Sequence, residues 1–325
     1  MNNKKPSKRY PRWPFIVLVL FLVPLLLVGY WWLRPSPPID DPFWESGATM
    51  PSARSEMPAA LLDGLIYVPG GFGGQSDFAA YDPAADHWQE LAPLPEGRHH
   101  LMTVAHDGFV YAFGGGRGLS FGATNNAWRY DSAIDEWTAV APLPEPRLAG
   151  AAVSLDDYIY LVGGTGGTDA LLRYDPAADA WTVLASLQES REHTAAVVLD
   201  GEIVALAGRW AGVGELTSVE IYDPATATWR FGPPMSVARG GFGAAVAGGR
   251  VYVAGGELLT GERTALTSVE IYDPATEQWT AGPDLPVGLH GMPMIAYEDT
   301  LYVIGGSDWA GMIDNHGRVL SYQLP

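Results

Sequence analysis

The stretch from Arg191 to Trp229, REHTAAVVLDGEIVALAGRWAGVGELTSVEIYDPATATW, holds every part of a unit that recurs along the chain. It opens on an arginine. A run of small and β-branched residues, HTAAVVL, leads to Asp200-Gly201, a dipeptide suited to a tight hairpin because type I′ turns need positive φ at both central residues. The bulky run EIVAL then ends at Ala207-Gly208, a variable loop follows, and Tyr222-Asp223-Pro224 marks a second turn. Trp229 stands seven residues after Tyr222. Short apolar runs bounded by turn signals read as strands covered on both faces.

The same places recur outward from this unit. Arginines stand at 54, 98, 147, 191 and 239, with Leu289 in the sixth place, at steps of 44, 49, 44, 48 and 50 residues. Sixteen residues after each comes a small pair: Gly70-Gly71, Gly114-Gly115, Gly163-Gly164, Ala207-Gly208, Gly255-Gly256 and Gly305-Gly306. Tyr81, Tyr130, Tyr174, Tyr222 and Tyr272 are each followed seven residues later by a tryptophan: Trp88, Trp137, Trp181, Trp229 and Trp279. Each unit divides into four strands, and four-stranded antiparallel sheets repeated around an axis make a propeller. The sixth unit stops after Val319–Leu324 with no tryptophan strand. Trp44, however, lies ten residues before Arg54, the spacing that separates Trp from Arg elsewhere. The segment FWESGAT is therefore expected to supply the outer strand of the last blade and leave no open seam.

The arginine, the double glycine, the Tyr-Asp-Pro turn and the spaced tryptophan resemble the kelch family over residues 43–325. The resemblance implies an all-β, six-bladed kelch propeller, with departures at Ser132, Ala207 and Leu289.

Ahead of the propeller, residues 1–13 form a basic tail, 14–33 an uncharged run (PFIVLVLFLVPLLLVGYWWL), and 34–42 a proline-rich linker. Twenty residues suffice for one transmembrane helix, and Tyr30, Trp31 and Trp32 suit an interfacial belt. Five positive charges precede the run and Asp40, Asp41 and Glu45 follow it. A cytoplasmic N-terminus and a propeller outside the cytoplasm, at the cell surface or in the periplasm, are expected. A cleaved signal peptide fits less well, because YWWLRPSPP offers no small-x-small site. Beyond Pro35 there is no lysine, and 13 arginines face 37 acidic residues, a net charge of −24. Such a domain repels phosphate backbones, which argues against nucleic acid as a partner. The absence of cysteine removes disulfides, thiolate metal sites and cysteine nucleophiles.

Antiparallel order puts the arginines and the loops after the double glycines at one end of the propeller. Arg54, Arg98, Arg147, Arg191 and Arg239 are thus expected to ring a channel mouth, where guanidinium forks match carboxylates. In kelch adaptors of ubiquitin ligases, arginines at this place hold acidic side chains; the resemblance implies an acidic peptide, protein or acidic glycan as ligand. The alternative is that each arginine pairs within its own loops and holds blades together. Phe121, Trp210 and Trp309 are the loop aromatics expected to face ligand. His99 and His290 follow the arginine place in blades two and six, which are not neighbours, so no shared metal is expected; His99 or His100 suits acid–base work.

No nucleophile elbow or phosphate loop is present, since the glycine pairs end strands with no Lys-Ser/Thr after them. The expected function is a membrane-anchored binding module with no catalytic residue, metal or cofactor. The other reading is an exported sugar-acting enzyme resembling kelch sialic-acid mutarotases, with Arg191, Arg239, Glu215 or Glu257 in its site. The copper chemistry of galactose oxidase is excluded, because it needs a cysteine cross-linked to tyrosine and this chain has none.

Overall fold

The computed structural model describes residues 40–325. The basic tail, the apolar run at 14–33 and most of the linker lie outside the described residues. Among the described residues there are strands and turns and no α-helix.

Six four-stranded antiparallel sheets follow one another in chain order. Blade four shows the pattern: Ala195–Leu199, Glu202–Leu206, Val219–Asp223 and Thr228–Gly232 lie side by side, innermost first. The sixth sheet consists of Met294–Tyr297, Thr300–Ile304, Val319–Gln323 and, outermost, Trp44–Ser46 from the other end of the chain. Trp44 pairs with Tyr322 and Ser46 with Leu320. The innermost strands of neighbouring blades pack against one another in a closed ring, blade six against blade one included. Two small ribbons, Arg209–Trp210 with Gly214–Glu215 and Glu257–Leu258 with Thr264–Ala265, stiffen the loops of blades four and five.

The runs that are apolar on successive residues follow from this stacking, because each blade is covered on both faces. Val204 and Leu206 of blade four meet Val251 and Val253 of blade five in one cluster. Ile159 and Leu161 of blade three meet Tyr111 and Phe113 of blade two in another. Burying a side chain of this size contributes about 1.5–3 kcal/mol.

Polar bonds repeat with the same order. The indole N–H of Trp88, Trp137, Trp181, Trp229 and Trp279 donates to a carbonyl outside its own sheet, at Ala48, Ala92, Ala141, Ala185 and Pro233, over 2.8–3.0 Å. Trp44 donates to Pro283 at 3.3 Å, and its ring lies 5.4 Å from Tyr322, matching the Tyr–Trp pairs of the other blades. The Tyr-Asp-Pro aspartates cap their own turns, as when Asp175 Oδ1 accepts from the Ala177 amide at 3.0 Å.

The double glycines have a geometric cause. The second glycine of each pair donates its amide to the carbonyl at the arginine place of the next blade, from Gly71 to Arg98 at 2.8 Å round to Gly306 and Arg54 at 2.9 Å. A Cβ on Gly114, at φ +62, would stand 2.1 Å from the Arg147 carbonyl oxygen, so no side chain fits there. Leu289 keeps this bond, since its carbonyl accepts from Gly256 at 2.8 Å.

Trp44 is 2 % exposed, so Trp44→Ala removes a buried ring together with an interblade hydrogen bond. The change should destabilise the whole propeller by about 3–5 kcal/mol. Denaturant unfolding followed by tryptophan fluorescence checks this, and a midpoint equal to wild type would contradict it.

Candidate functional site

The residue two places after each arginine position sits at the axis: Glu56, His100, Ala149, His193, Gly241 and Gly291 in blades one to six. Each donates its amide to the carbonyl of the corresponding residue in the blade before. His100 bonds to Glu56 at 2.8 Å, Ala149 to His100 at 3.0 Å, His193 to Ala149 at 2.6 Å, Gly241 to His193 at 2.8 Å and Gly291 to Gly241 at 2.7 Å. Glu56 completes the circle on Gly291 at 2.7 Å. All six have positive φ, including the four with side chains: Glu56 at 52°, His100 at 54°, Ala149 at 59° and His193 at 47°. Non-glycine residues held in this region cost roughly 1–3 kcal/mol each and concentrate at functional sites.

Three of these six places carry functional side chains, which meet on the axis. His100 Nε2 lies 3.2 Å from Glu56 Oε2 and 2.9 Å from His193 Nε2. His193 Nδ1 contacts Glu192 Oε2 at 2.5 Å. The Arg209 guanidinium joins Glu192, at 2.8 Å, to Glu257. His290 Nδ1 approaches Glu56 at 3.3 Å and Glu257 at 3.5 Å, while its Nε2 faces the Trp309 carbonyl at 3.1 Å. A Cβ on Gly291 would stand 2.6 Å from Glu56 Oε1, so that glycine admits the carboxylate to the axis. Glu56, His100 and His193 line one end of a central channel of about 450 Å³. Its wall is otherwise made by the small residues of the first strands, Ala105, Ala152 and Ala196 among them.

Burial alone would raise the Glu56 carboxyl, but His100, His290 and His193 outweigh it and hold the group far below the usual carboxylate range. Burial takes His100 down to about 3, so this imidazole is neutral, and it lowers His99 as well. His290 moves the other way: burial is outweighed by Glu56 and Glu257, and its affinity for a proton rises. Glu192 falls to about 2, because His193 and Arg209 overcome its burial.

The expectation of an arginine-ringed mouth is corrected by this geometry. Arg54, Arg98, Arg147, Arg191 and Arg239 are fully buried, at 0 % exposure, with their Nη groups engaged inside the blades. Arg54 donates to the carbonyls of Val68, Gly70 and Asp77. Arg98 contacts Glu96 and Asn126, and lies over the Trp128 ring at 5.2 Å. Arg147 donates to Gly163 and Thr168 and pairs with Glu145. Arg191 reaches Ala207, Ser218 and the buried Glu220, and Arg239 reaches Gly255, Ser268 and Glu270. A guanidinium with no exposure and both Nη groups bonded within its blade does not reach a ligand.

The other expected residues divide. Phe121 and Trp309 are exposed, and the Phe121 ring stands 5.3 Å from that of His100. Trp210 is half-buried in its ribbon. His99 is buried, stacked 4.2 Å from Phe72, and touches His100 through Nδ1 at 2.6 Å. His290 joins the axial cluster, as does Glu257, whereas Glu215 ties two loops together by accepting from Leu259 at 2.9 Å. Sequence reading missed Glu56, His193, Glu192 and Arg209. The periodic signal that marked the arginines also marks positions one and two residues later, and those positions converge on the axis.

Comparison with known proteins agrees with this architecture. The Kelch motif model matches residues 97–144, 146–188, 190–236 and 238–286, more than half of the chain and corresponding to blades two to five. A solved structure titled "Structure of YjhT" superposes with a TM-score of 0.74 at 17 % identity, covering 84 % of this chain and 94 % of that one. No curated protein matches.

Arg191→Ala leaves the Glu220 carboxylate, itself 0 % exposed, without its guanidinium partner. Breaking a buried pair from one side should cost about 3–5 kcal/mol. Urea unfolding measures it; a loss below about 1 kcal/mol would show that the arginine is not a strut.

Proposed function

This chain belongs to the kelch-motif family of propellers, commonly protein-binding scaffolds, and from that premise we propose that it is an exported binding module, anchored through residues 14–33, that takes a protein or peptide on its loop face. The observation that carries the reading is where exposed apolar side chains fall. Of the ten large hydrophobic residues exposed among the described residues, Leu119, Phe121, Val213, Trp309, Met312 and Ile313 lie in loops that follow the second strands. These loops emerge at one end, beside the axial cluster. Exposed apolar side chains gathered on the loops of one face suit a recognition surface, and aromatic anchors dominate binding energy.

The buried arginines leave an acidic ligand without its expected partners, so the module is read as selecting apolar anchors first. Anchoring and export rest on the apolar run and its flanking charges. The sugar-acting enzyme stays as a second reading because Glu56 and His100 form a carboxylate–imidazole pair inside a channel, both held toward their deprotonated forms.

The test is selection of peptides from a random displayed library on the full-length chain, with a glycan panel in parallel. Phe121→Ala combined with Trp309→Ala should weaken the selected peptides at least about tenfold with an unchanged melting curve. Val183→Ala, an exposed apolar residue on an outer strand, should leave binding intact. Equal binding by the double variant would reject the loop face. Turnover of a sugar from the panel, lost in Glu56→Gln, would favour the enzyme.

A further inference from the structure

Glu56, His100 and His193 each aim one ligand atom at a single place on the axis, the three atoms lying within 4.8 Å of one another. Ser120 offers His99 Nε2 only a carbonyl oxygen, at 3.1 Å, so that nitrogen carries a hydrogen. In a neutral imidazole its Nδ1 is then an acceptor. His100 Nδ1, 2.6 Å away, must be the donor of that bond, which leaves His100 Nε2 with a lone pair. On the other side, His193 Nδ1 donates to the Glu192 carboxylate at 2.5 Å, so in the neutral ring His193 Nε2 carries the lone pair. These two lone pairs face each other across 2.9 Å, and Glu56 Oε2 lies 3.2 Å from one and 3.9 Å from the other. Three acceptors this close repel unless a cation, a metal ion or a proton on His193, lies between them.

From this we propose that Glu56, His100 and His193 bind a divalent transition-metal ion of the zinc class on the propeller axis. Ligand atoms around tetrahedral zinc, at bond lengths of about 2.0–2.1 Å, stand about 3.3 Å apart. The three separations of 2.9, 3.2 and 3.9 Å bracket that value. Two imidazoles and one carboxylate are a recurrent set for such ions.

The surroundings fit a metal centre. Metal-bound histidines usually donate their second nitrogen to a carboxylate or another acceptor, which fixes ring and tautomer. His193 does so to Glu192, and Arg209 steadies Glu192. His100 does so to His99, which the Ser120 carbonyl and the Phe72 ring hold in place. Three carboxylates, Glu56, Glu192 and Glu257, face a single arginine here, so added positive charge is accommodated. Ala149, Gly241 and Gly291 fill the other axial places and project nothing larger than a methyl group. The channel beside them leaves a fourth position for water or an exogenous ligand, the arrangement of catalytic rather than structural zinc sites.

The inference is independent of whether the loop face binds a partner. A second group on the rim, Asp308, Asp314 and His316, supplies the internal control, because its ligand atoms also lie close together.

The experiment uses the full-length chain in detergent, stripped with a chelator and titrated with Zn²⁺ and with Co²⁺ as a spectroscopic probe. The expected result is one equivalent of metal per chain, a tetrahedral Co²⁺ absorption band, and a melting temperature that rises with metal. His100→Asn and His193→Asn, chosen because asparagine tolerates positive φ, should abolish binding, whereas His316→Asn should not. Glu192→Gln, which leaves all three ligands in place and changes only the partner of His193 Nδ1 and Arg209, should weaken binding by about 10–100-fold. It also keeps the test decisive should an axial variant fail to fold. No bound metal, unchanged affinity in Glu192→Gln, or loss in His316→Asn alone would each overturn the proposal.

Discussion

Six backbone hydrogen bonds, donated in turn by Glu56, His100, Ala149, His193, Gly241 and Gly291, tie the six blades together at one end of the axis. Each blade supplies one donor and one acceptor, so the circle holds only if all six blades keep their angular spacing. The backbone must turn into the left-handed region at each place to aim its amide sideways. Glycine does this at two positions, while glutamate, alanine and two histidines accept the strain at the others. That strain has a structural return: the turn that aims the amide along the ring also brings the side chain to the axis. The axial cluster is therefore a by-product of the bond that closes the ring.

Around this circle, the repeated residues are struts. The arginines bond carbonyls and acids of their own blade, the tryptophans bond outward to carbonyls beyond their own sheets, and the second glycines receive the next blade's carbonyl. Function is left to the places where the units differ. Blades one, two and four carry Glu56, His100 and His193 at the axis, and blades two, four and six carry the long apolar loops. A propeller thus separates the two tasks by periodicity: what recurs stabilises, and what varies recognises.

The legibility of the sequence follows the same division. The blade count, the strand order, the Asx turns and the tryptophan at 44 were readable because each depends on local spacing repeated several times. The arginines were readable as a set, but their direction was not. Charge suggested an open face, whereas four of the five side chains turn back onto the carbonyl that opens the small pair, a contact sixteen residues away that no charge count reveals. The axial cluster was hidden for a different reason. Glu56, His100 and His193 come from three blades, two of which are not neighbours, and together they form no local motif. His99 and His290 do not meet, whereas His100 and His193 of blades two and four do, because residues at the axis meet whether or not their blades touch. The family match to blades two to five reflects this too, since blade six is divided between the two ends of the chain and lacks the arginine.

The central claim, that the axial circle of backbone bonds holds both fold and site, is tested most directly by amide hydrogen exchange resolved at single residues. The amides of Glu56, His100, Ala149, His193, Gly241 and Gly291 should exchange only through global unfolding, as slowly as the middle of the second strands, despite lying at strand entrances. Fast exchange at these six positions while the strands stay protected would contradict the account, because the blades would then be held together without the circle.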